Sequence, residues 1–241
     1  MGNSYVRDME SVPANHTGTI IVLGNEGAGK STLLFLLVTI LNEFATKQDI
    51  LETKKNLRDV IFTQLMNACQ EDGKYDIHKQ FLPAHATQIR RLLKDTNDPS
   101  LQYFLHKLDT LTKPNYLPSN EDCLRANLRT MGSREYDTTI EGRKYTVAEM
   151  GGASCEQRKW NSFLNDFDYI DYLIIVVRTS ESRENQEELK KLMGDAVAAQ
   201  TVVIYNHDGV DGVEIEWDAS IIHLCLTDIA CIKDLSQLFI I

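Results

Sequence analysis

Thr19-Ile20-Ile21-Val22-Leu23-Gly24-Asn25-Glu26-Gly27-Ala28-Gly29-Lys30-Ser31 is the stretch that decides the fold. Gly24 to Ser31 fits G-x-x-x-x-G-K-[ST], the loop that cradles nucleotide phosphates. Thr19–Leu23 reads as a short buried strand entering the loop, and Ser31 to Leu41 (STLLFLLVTIL) as a buried helix leaving it. That order places backbone N–H groups and a positive helix end around one anion. In such a loop Lys30 reaches the β- and γ-phosphates, and the Ser31 hydroxyl holds Mg²⁺. A chance glycine-rich turn is the competing reading, and the flanking strand and helix argue against it.

Working outward, the chain alternates strand-like and helix-like patterns. Asp137–Ile140 and Lys144–Glu149 flank the two-residue turn Glu141-Gly142 and predict a hairpin. Tyr172–Val177 is a continuous apolar run, as expected of a strand covered on both faces. Glu187–Val197 follows as a helix, Thr201–Tyr205 as another buried strand, Ile221–Leu226 as the last strand and Asp228–Ile240 as a closing helix. Such alternation implies an α/β fold with a mostly parallel sheet.

Between about Lys47 and Asn120 the pattern changes. Leu57–Cys69, Ile89–Leu93 and Leu101–Leu111 carry apolar residues at helical spacing, and Pro114 and Pro118 then punctuate a turn back into strands. About seventy residues without a strand are long for one crossover. An inserted all-helical domain over 47–120 is expected, within a nucleotide-binding domain made of 1–46 and 121–241. A set of ordinary crossover helices is the plainer alternative.

Composition narrows the function. The 241 residues carry a net charge of −10, which argues against a nucleic-acid binder. Five scattered cysteines (Cys69, Cys123, Cys155, Cys225, Cys231) lack any C-x-x-C pair, so a disulfide or metal framework is not expected and a reducing cytosol is the simplest compartment. The longest apolar run, Leu33 to Leu41, is too short to span a bilayer. His78 and His85 read as solvated side chains, the run Glu181–Lys191 as the wet face of a helix, and Trp160 as core packing.

Thr130 stands in the polar stretch DCLRANLRTMG, and Glu149-Met150-Gly151-Gly152 follows the hairpin's second strand. A threonine closing over metal and γ-phosphate, with an acid-x-x-Gly segment opposite, is the pair a GTPase needs. Leu101–Gly132 (LQYFLHKLDTLTKPNYLPSNEDCLRANLRTMG) closely resembles the end of the helical domain and switch I of heterotrimeric G-protein alpha subunits. EMGGASCEQRKW (Glu149–Trp160) resembles their switch II, and HLCLTD (His223–Asp228) their guanine-contacting segment. The resemblance implies a Ras-like P-loop GTPase fold, GTP or GDP with Mg²⁺, and a role in receptor-coupled signalling.

Carried over residue by residue, it implies nucleotide contacts from Glu26, Gly27, Ala28, Gly29, Lys30, Ser31 and Thr32. It adds Leu124, Arg125 and Thr130 from switch I, Gly152 from switch II, and Asn206, Asp208, Cys225 and Leu226 around the base. Ser31 and Thr130 become the metal ligands.

The departures fall on the chemistry. Glu26 stands where the family's loop has a second glycine, with Gly27 and Ala28 after it. The catalytic arginine's position is Asn127, with Arg125 and Arg129 out of register. The acid of switch II is Glu149 rather than aspartate, and the water-orienting glutamine is Ala153. Loss of such an arginine alone is worth about 10³–10⁵ in rate, so hydrolysis is expected to be severely weakened. The base loop reads Asn206-His207-Asp208-Gly209 where the family has N-K-x-D. A degenerate base loop, with Asp208 or the weaker Asp211 serving, and a plain Asp-Gly turn both fit.

The spans from Ser31 to Thr130 and from Asn206 to His223 are shorter than the resemblance leads one to expect. About sixteen residues precede the first strand, and the chain ends at Ile241. Weak coupling to beta–gamma subunits and to G-protein-coupled receptors is therefore expected. Met1-Gly2-Asn3-Ser4 begins like an acylation signal, but Val6 stands where Ser or Thr belongs. The expected location is cytoplasmic, with peripheral attachment at the inner face of the plasma membrane if acylated. Two functions remain open: a slow GTP/GDP switch, or a non-enzymatic binding module that sequesters effectors or regulators.

Overall fold

The computed structural model describes residues 17–40, 47–69, 83–113, 115–126, 132–193, 198–207, 209–210, 212–226, 235 and 239. In chain order it builds β1 (Gly18–Gly24), α1 (Lys30–Phe35), α2 (Lys47–Ala68), α3 (Pro83–Leu92), α4 (Pro99–His106), α5 (Leu108–Leu111) and α6 (Asn120–Arg125). There follow β2 (Ser133–Ile140), β3 (Arg143–Met150), α7 (Ser154–Gln157), α8 (Trp160–Asn165), β4 (Tyr172–Arg178), α9 (Arg183–Met193), β5 (Gln200–Asn206) and β6 (Ser220–Leu224).

The six strands form one sheet in the order β2-β3-β1-β4-β5-β6. Every pairing is parallel except β2 with β3, the hairpin. Its turn puts Glu141 (φ 49°) and Gly142 (φ 74°) both in the left-handed region, the twist that suits a two-residue hairpin. Side chains alternate across the sheet as the strand period requires. Ile20, Val22, Ile174 and Val176 join a core with α1, whereas Ile21, Leu23, Leu173, Ile175 and Val177 join a second core with Trp160, Phe163 and Leu189. Both faces are covered, which explains why β4 is apolar along almost its whole length. β1 lies between β3 and β4, so the loop after Gly24 opens at the carboxyl edge where parallel α/β sheets bind ligands.

The predicted strands are all present, with ends displaced by a residue or two, except that β2 begins at Ser133, four residues before the predicted Asp137. The helix expected over Ser31–Leu41 changes character. After Phe35 it widens into a π turn over Leu36–Ile40, where the buried Thr138 hydroxyl donates to the Leu37 carbonyl at 2.9 Å. An inserted side-chain donor is one recognised cause of such a widening. Leu101–Leu111, read as one helix, breaks at Lys107 (φ −92°, ψ 4°), whose ammonium is drawn to Asp122. Of the expected closing helix Asp228–Ile240 only Leu235 and Phe239 are among the described residues, and both are buried. No strand occurs among the described residues between α1 and β2. No helix among the described residues is long and apolar enough to cross a membrane.

Candidate functional site

β1 delivers the chain into the phosphate loop at Gly24, and α1 takes it away at Lys30. Gly29 caps α1 at φ 108°, ψ 11°, a conformation L side chains rarely adopt. Space forbids a side chain there too, since a Cβ on Gly29 would lie 2.7 Å from Asn206 Nδ2. The Ala28 N–H donates to the Asn25 carbonyl (3.2 Å), which closes the loop. Lys30 Nζ donates to that same carbonyl at 2.9 Å. Burial pushes the Lys30 ammonium below its usual range, and the charges of Glu149, Glu181 and Glu26 oppose that push. A buried ammonium beside a glycine-rich loop that opens into a helix is poised for an anion.

Glu149 closes the site from the end of β3. It is fully buried, and its Oε1 accepts from Ser31 Oγ at 2.7 Å. The extra methylene of glutamate over aspartate lets the carboxylate reach the serine directly. Gly152 passes so close that a Cβ would lie 2.4 Å from both the Gly24 carbonyl and Lys30 Nζ. Only glycine permits that approach.

Residues absent from the sequence reading lock these parts together. Gln157 Nε2 donates to Asn25 Oδ1 (2.7 Å) and to the Gly152 carbonyl (3.1 Å). Asn25 Nδ2 in turn donates to Glu181 Oε2 at 3.1 Å. Glu181 is only 5% exposed, which corrects its assignment to a wet helix face: it precedes α9 and faces the loop. Gln186 is also buried, between the Glu181 carbonyl and Tyr205 OH. Glu181 precedes the helix and so has no period to report it, whereas Gln186 shares the i, i+3, i+7 face of α9 with Leu189 and Met193 and was hidden only by its polar side chain. Trp160 is core, as read, with Nε1 donating to the Gly151 carbonyl at 3.1 Å.

At the base end Asn206 is a clamp. Its Nδ2 donates to the Ala28 carbonyl (2.9 Å), while its Oδ1 accepts from the Leu226 N–H (3.0 Å). Leu226 thus comes against the phosphate loop, its Cδ1 3.1 Å from where a Cβ on Gly29 would sit. Gly209, at the aspartate position, has φ 86°. Asp208 and Asp211 lie outside the described residues. His207 is exposed, 5.5 Å from the His223 ring, which stacks on Tyr205 at 5.4 Å.

On the helical side Thr32 Oγ1 donates to the Leu124 carbonyl at 3.3 Å, so these two residues meet. Arg125 turns away: it pairs with Glu121 (3.2 Å) and lies 4.7 Å over the Tyr103 ring. The cause is α6, whose i,i+4 spacing sets Glu121 beside it. Asn127, Arg129 and Thr130 lie outside the described residues. Upstream, Asp122 is buried and accepts from Tyr116 OH, Lys107 Nζ (2.9 Å) and Ser119. Burial alone would raise its pKa, but these donors outweigh burial and hold it at about 2.

A family model described as "G-protein alpha subunit" matches residues 84–191. The guanine nucleotide-binding protein alpha-7 subunit of Caenorhabditis elegans is 24% identical over 207 residues, covering 70% of this chain and 57% of that one. The alpha-6 subunit of Dictyostelium discoideum is 26% identical over 197 residues, covering 67% and 56%. The human subunit alpha-13 reaches 35% over 82 residues, covering 34% and 21%. These matches, at modest identity, support a divergent member of the G-protein alpha subunit family. Its fold is accordingly the Ras-like P-loop α/β fold, with the mostly parallel six-stranded sheet described above. The chain spans a little over half the length of the first two of these relatives.

The family's ligands can be tested against this geometry. The phosphate cradle fits, because it is ringed by glycines that no Cβ would spare and holds a buried ammonium. A cluster of three His, Cys, Asp or Glu side chains able to hold a metal does not occur among the described residues. Ser31 Oγ and the Glu149 carboxylate are hard oxygen donors side by side, the kind Mg²⁺ takes when phosphate and water complete its shell.

Proposed function

We propose that this chain binds GTP or GDP with Mg²⁺ and acts as an alpha-subunit-like switch in receptor-coupled signalling, with weak hydrolysis. The observation that carries the reading is the convergence of Lys30, Ser31, Glu149 and Gly152 on the loop after β1. Lys30 and the loop amides would bind the phosphate chain, and Ser31, with Thr130, would hold the cation. When bound, Mg²⁺ would neutralise charge on the phosphate oxygens. Gly152 lets the segment after β3 press against the phosphates without a side chain in the way. Asn206 holds the loop to the Cys225-Leu226 segment, where a backbone N–H would meet the guanine carbonyl. The domains proposed are 1–46 with 121–241 for the nucleotide and 47–120 as a helical insertion.

Hydrolysis is where the site is poor. Ala153 has no polar group to orient a water, and Arg125 is committed to Glu121 and Tyr103. These two observations favour the second reading, a binding module that holds nucleotide and sequesters effectors or regulators. Beta–gamma subunits and G-protein-coupled receptors are proposed partners through the family alone, at a cytoplasmic location with peripheral attachment at the inner face of the plasma membrane.

The test is to identify the nucleotide released from purified protein, then titrate GTP, GDP and ATP by calorimetry with and without Mg²⁺. Binding of guanine nucleotides is expected, with weakened preference over ATP. Rejection of all three at millimolar concentration overturns the reading. Single-turnover cleavage of preloaded GTP should run at least about 10³-fold below an ordinary family member. A family-typical rate would remove weak hydrolysis from the proposal.

A further inference from the structure

Arg178 is the first charged residue after the apolar run of β4, and it emerges at the carboxyl edge of the sheet beside the phosphate loop. Its backbone is fixed. It pairs in register with Asn206, its carbonyl accepts from the Glu181 N–H (3.0 Å), and the next N–H, of Thr179, donates to the Asn206 carbonyl (3.1 Å). Its guanidinium lies over the loop: a Cβ on Gly27 would sit 3.7 Å from Arg178 Nη1. Nε is buried, with no hydrogen-bond partner among the described residues. Arg178 also lines a cleft of about 240 Å³ whose walls include Glu26, Gly152, Ala153 and Gln157.

That location bears on charge. Glu149 and Glu181 are buried beside Lys30, and Glu26 acts on the same ammonium. Three carboxylates against one ammonium make a poor site for a triphosphate. A second cation at the mouth corrects the balance, and a guanidinium presents several fixed donors to a phosphate. Ala153, next to Gly152 on the wall of the same cleft, brings no polar group to it.

We propose that Arg178 is the second cationic side chain of this site, beside Lys30, and binds the terminal phosphate of a nucleoside triphosphate. The assignment rests on the nucleotide reading above and goes beyond it, because it names a residue and a phosphate.

The experiment measures GTPγS and GDP affinities for wild type, Arg178→Gln and Arg178→Lys, with thermal melting of each unliganded protein. The glutamine variant should lose about tenfold or more for GTPγS, as for a lost charge-assisted hydrogen bond. GDP binding should change far less, so the GTPγS-to-GDP preference falls by about that factor. Lysine should recover part of the preference. An unchanged preference overturns the assignment, whether both affinities fall together or neither does, since a structural role moves both alike. If the glutamine variant does not fold, the lysine variant decides by the same ratio. A wild type that binds neither ligand overturns the nucleotide reading itself, and this assignment with it.

Discussion

At the phosphate end of the cleft Lys30, Ser31, Glu149 and Gly152 meet around a short loop whose conformation is set by its own glycines. At the base end, among the described residues, Asn206 ties the phosphate loop to Leu226, and both ends of its amide are spent on protein groups. The difference separates two ways of building a site. The first is anchored on one contiguous segment, Gly24–Ser31, which the end of β3 closes with Glu149 and Gly152, so its core tolerates divergence elsewhere in the chain. The second needs loops of distant origin in register, and here the position that reads guanine in the family pattern is a glycine at φ 86°. Phosphate binding should therefore be the stronger and more robust half of recognition.

The hardest test of that contrast is Lys30→Ala. It removes a buried ammonium from the phosphates and should lower affinity for GTP and GDP by about a hundredfold or more, read by calorimetry. A loss below tenfold would mean that the loop is not the principal anchor. Gly152→Ala comes next. Its methyl would meet the Gly24 carbonyl and Lys30 Nζ, and overpacking of this kind costs about 1–3 kcal/mol. A fall in melting temperature together with weakened triphosphate binding is expected, and an unchanged protein would show that the segment after β3 yields freely.

Asp122 tests the join between the helices and the phosphate end. Its folded pKa of about 2 lies below the ordinary 3.8, so the unfolded chain binds the proton more tightly. The stabilisation is present above about pH 4 and is lost as pH falls through the folded value near 2. It amounts to about 2 kcal/mol for a shift of this size. Urea unfolding between pH 5 and pH 2 should show that decline in wild type, and Asp122→Asn should flatten it. Equal slopes in the two proteins would dismiss the Tyr116, Lys107 and Ser119 contacts as a source of stability.

The smallest effect sharpens the base end. Asn206→Ala leaves the Ala28 carbonyl and Leu226 N–H without this partner and should cost about 1–2 kcal/mol of stability. As a clamp, Asn206 acts through the loop, so the variant should weaken GTP and ATP alike. Selective loss of GTP would instead make it a base-reading residue.

Gly24–Ser31 and the apolar runs around Tyr172 and Thr201 declared the parallel sheet and the phosphate loop from the sequence, because the strand period, the glycine spacing and the lysine are local facts. The same holds for the Glu141-Gly142 turn, where two consecutive left-handed residues follow from residue type. What tertiary structure alone decided is who meets whom. Glu181 belongs to a charged run, yet the turn after β4 buries it against Asn25; Gln157 reaches the same asparagine from another segment. Arg178, one residue past the predicted strand Tyr172–Val177, lies over the loop, and Arg125, implied as a nucleotide contact, is held by Glu121 and Tyr103. Periodicity reports which face a residue takes on its own element. It carries no information about which charged or amide side chain the neighbouring strand or helix brings to that face, and that choice fixes the electrostatics of this site.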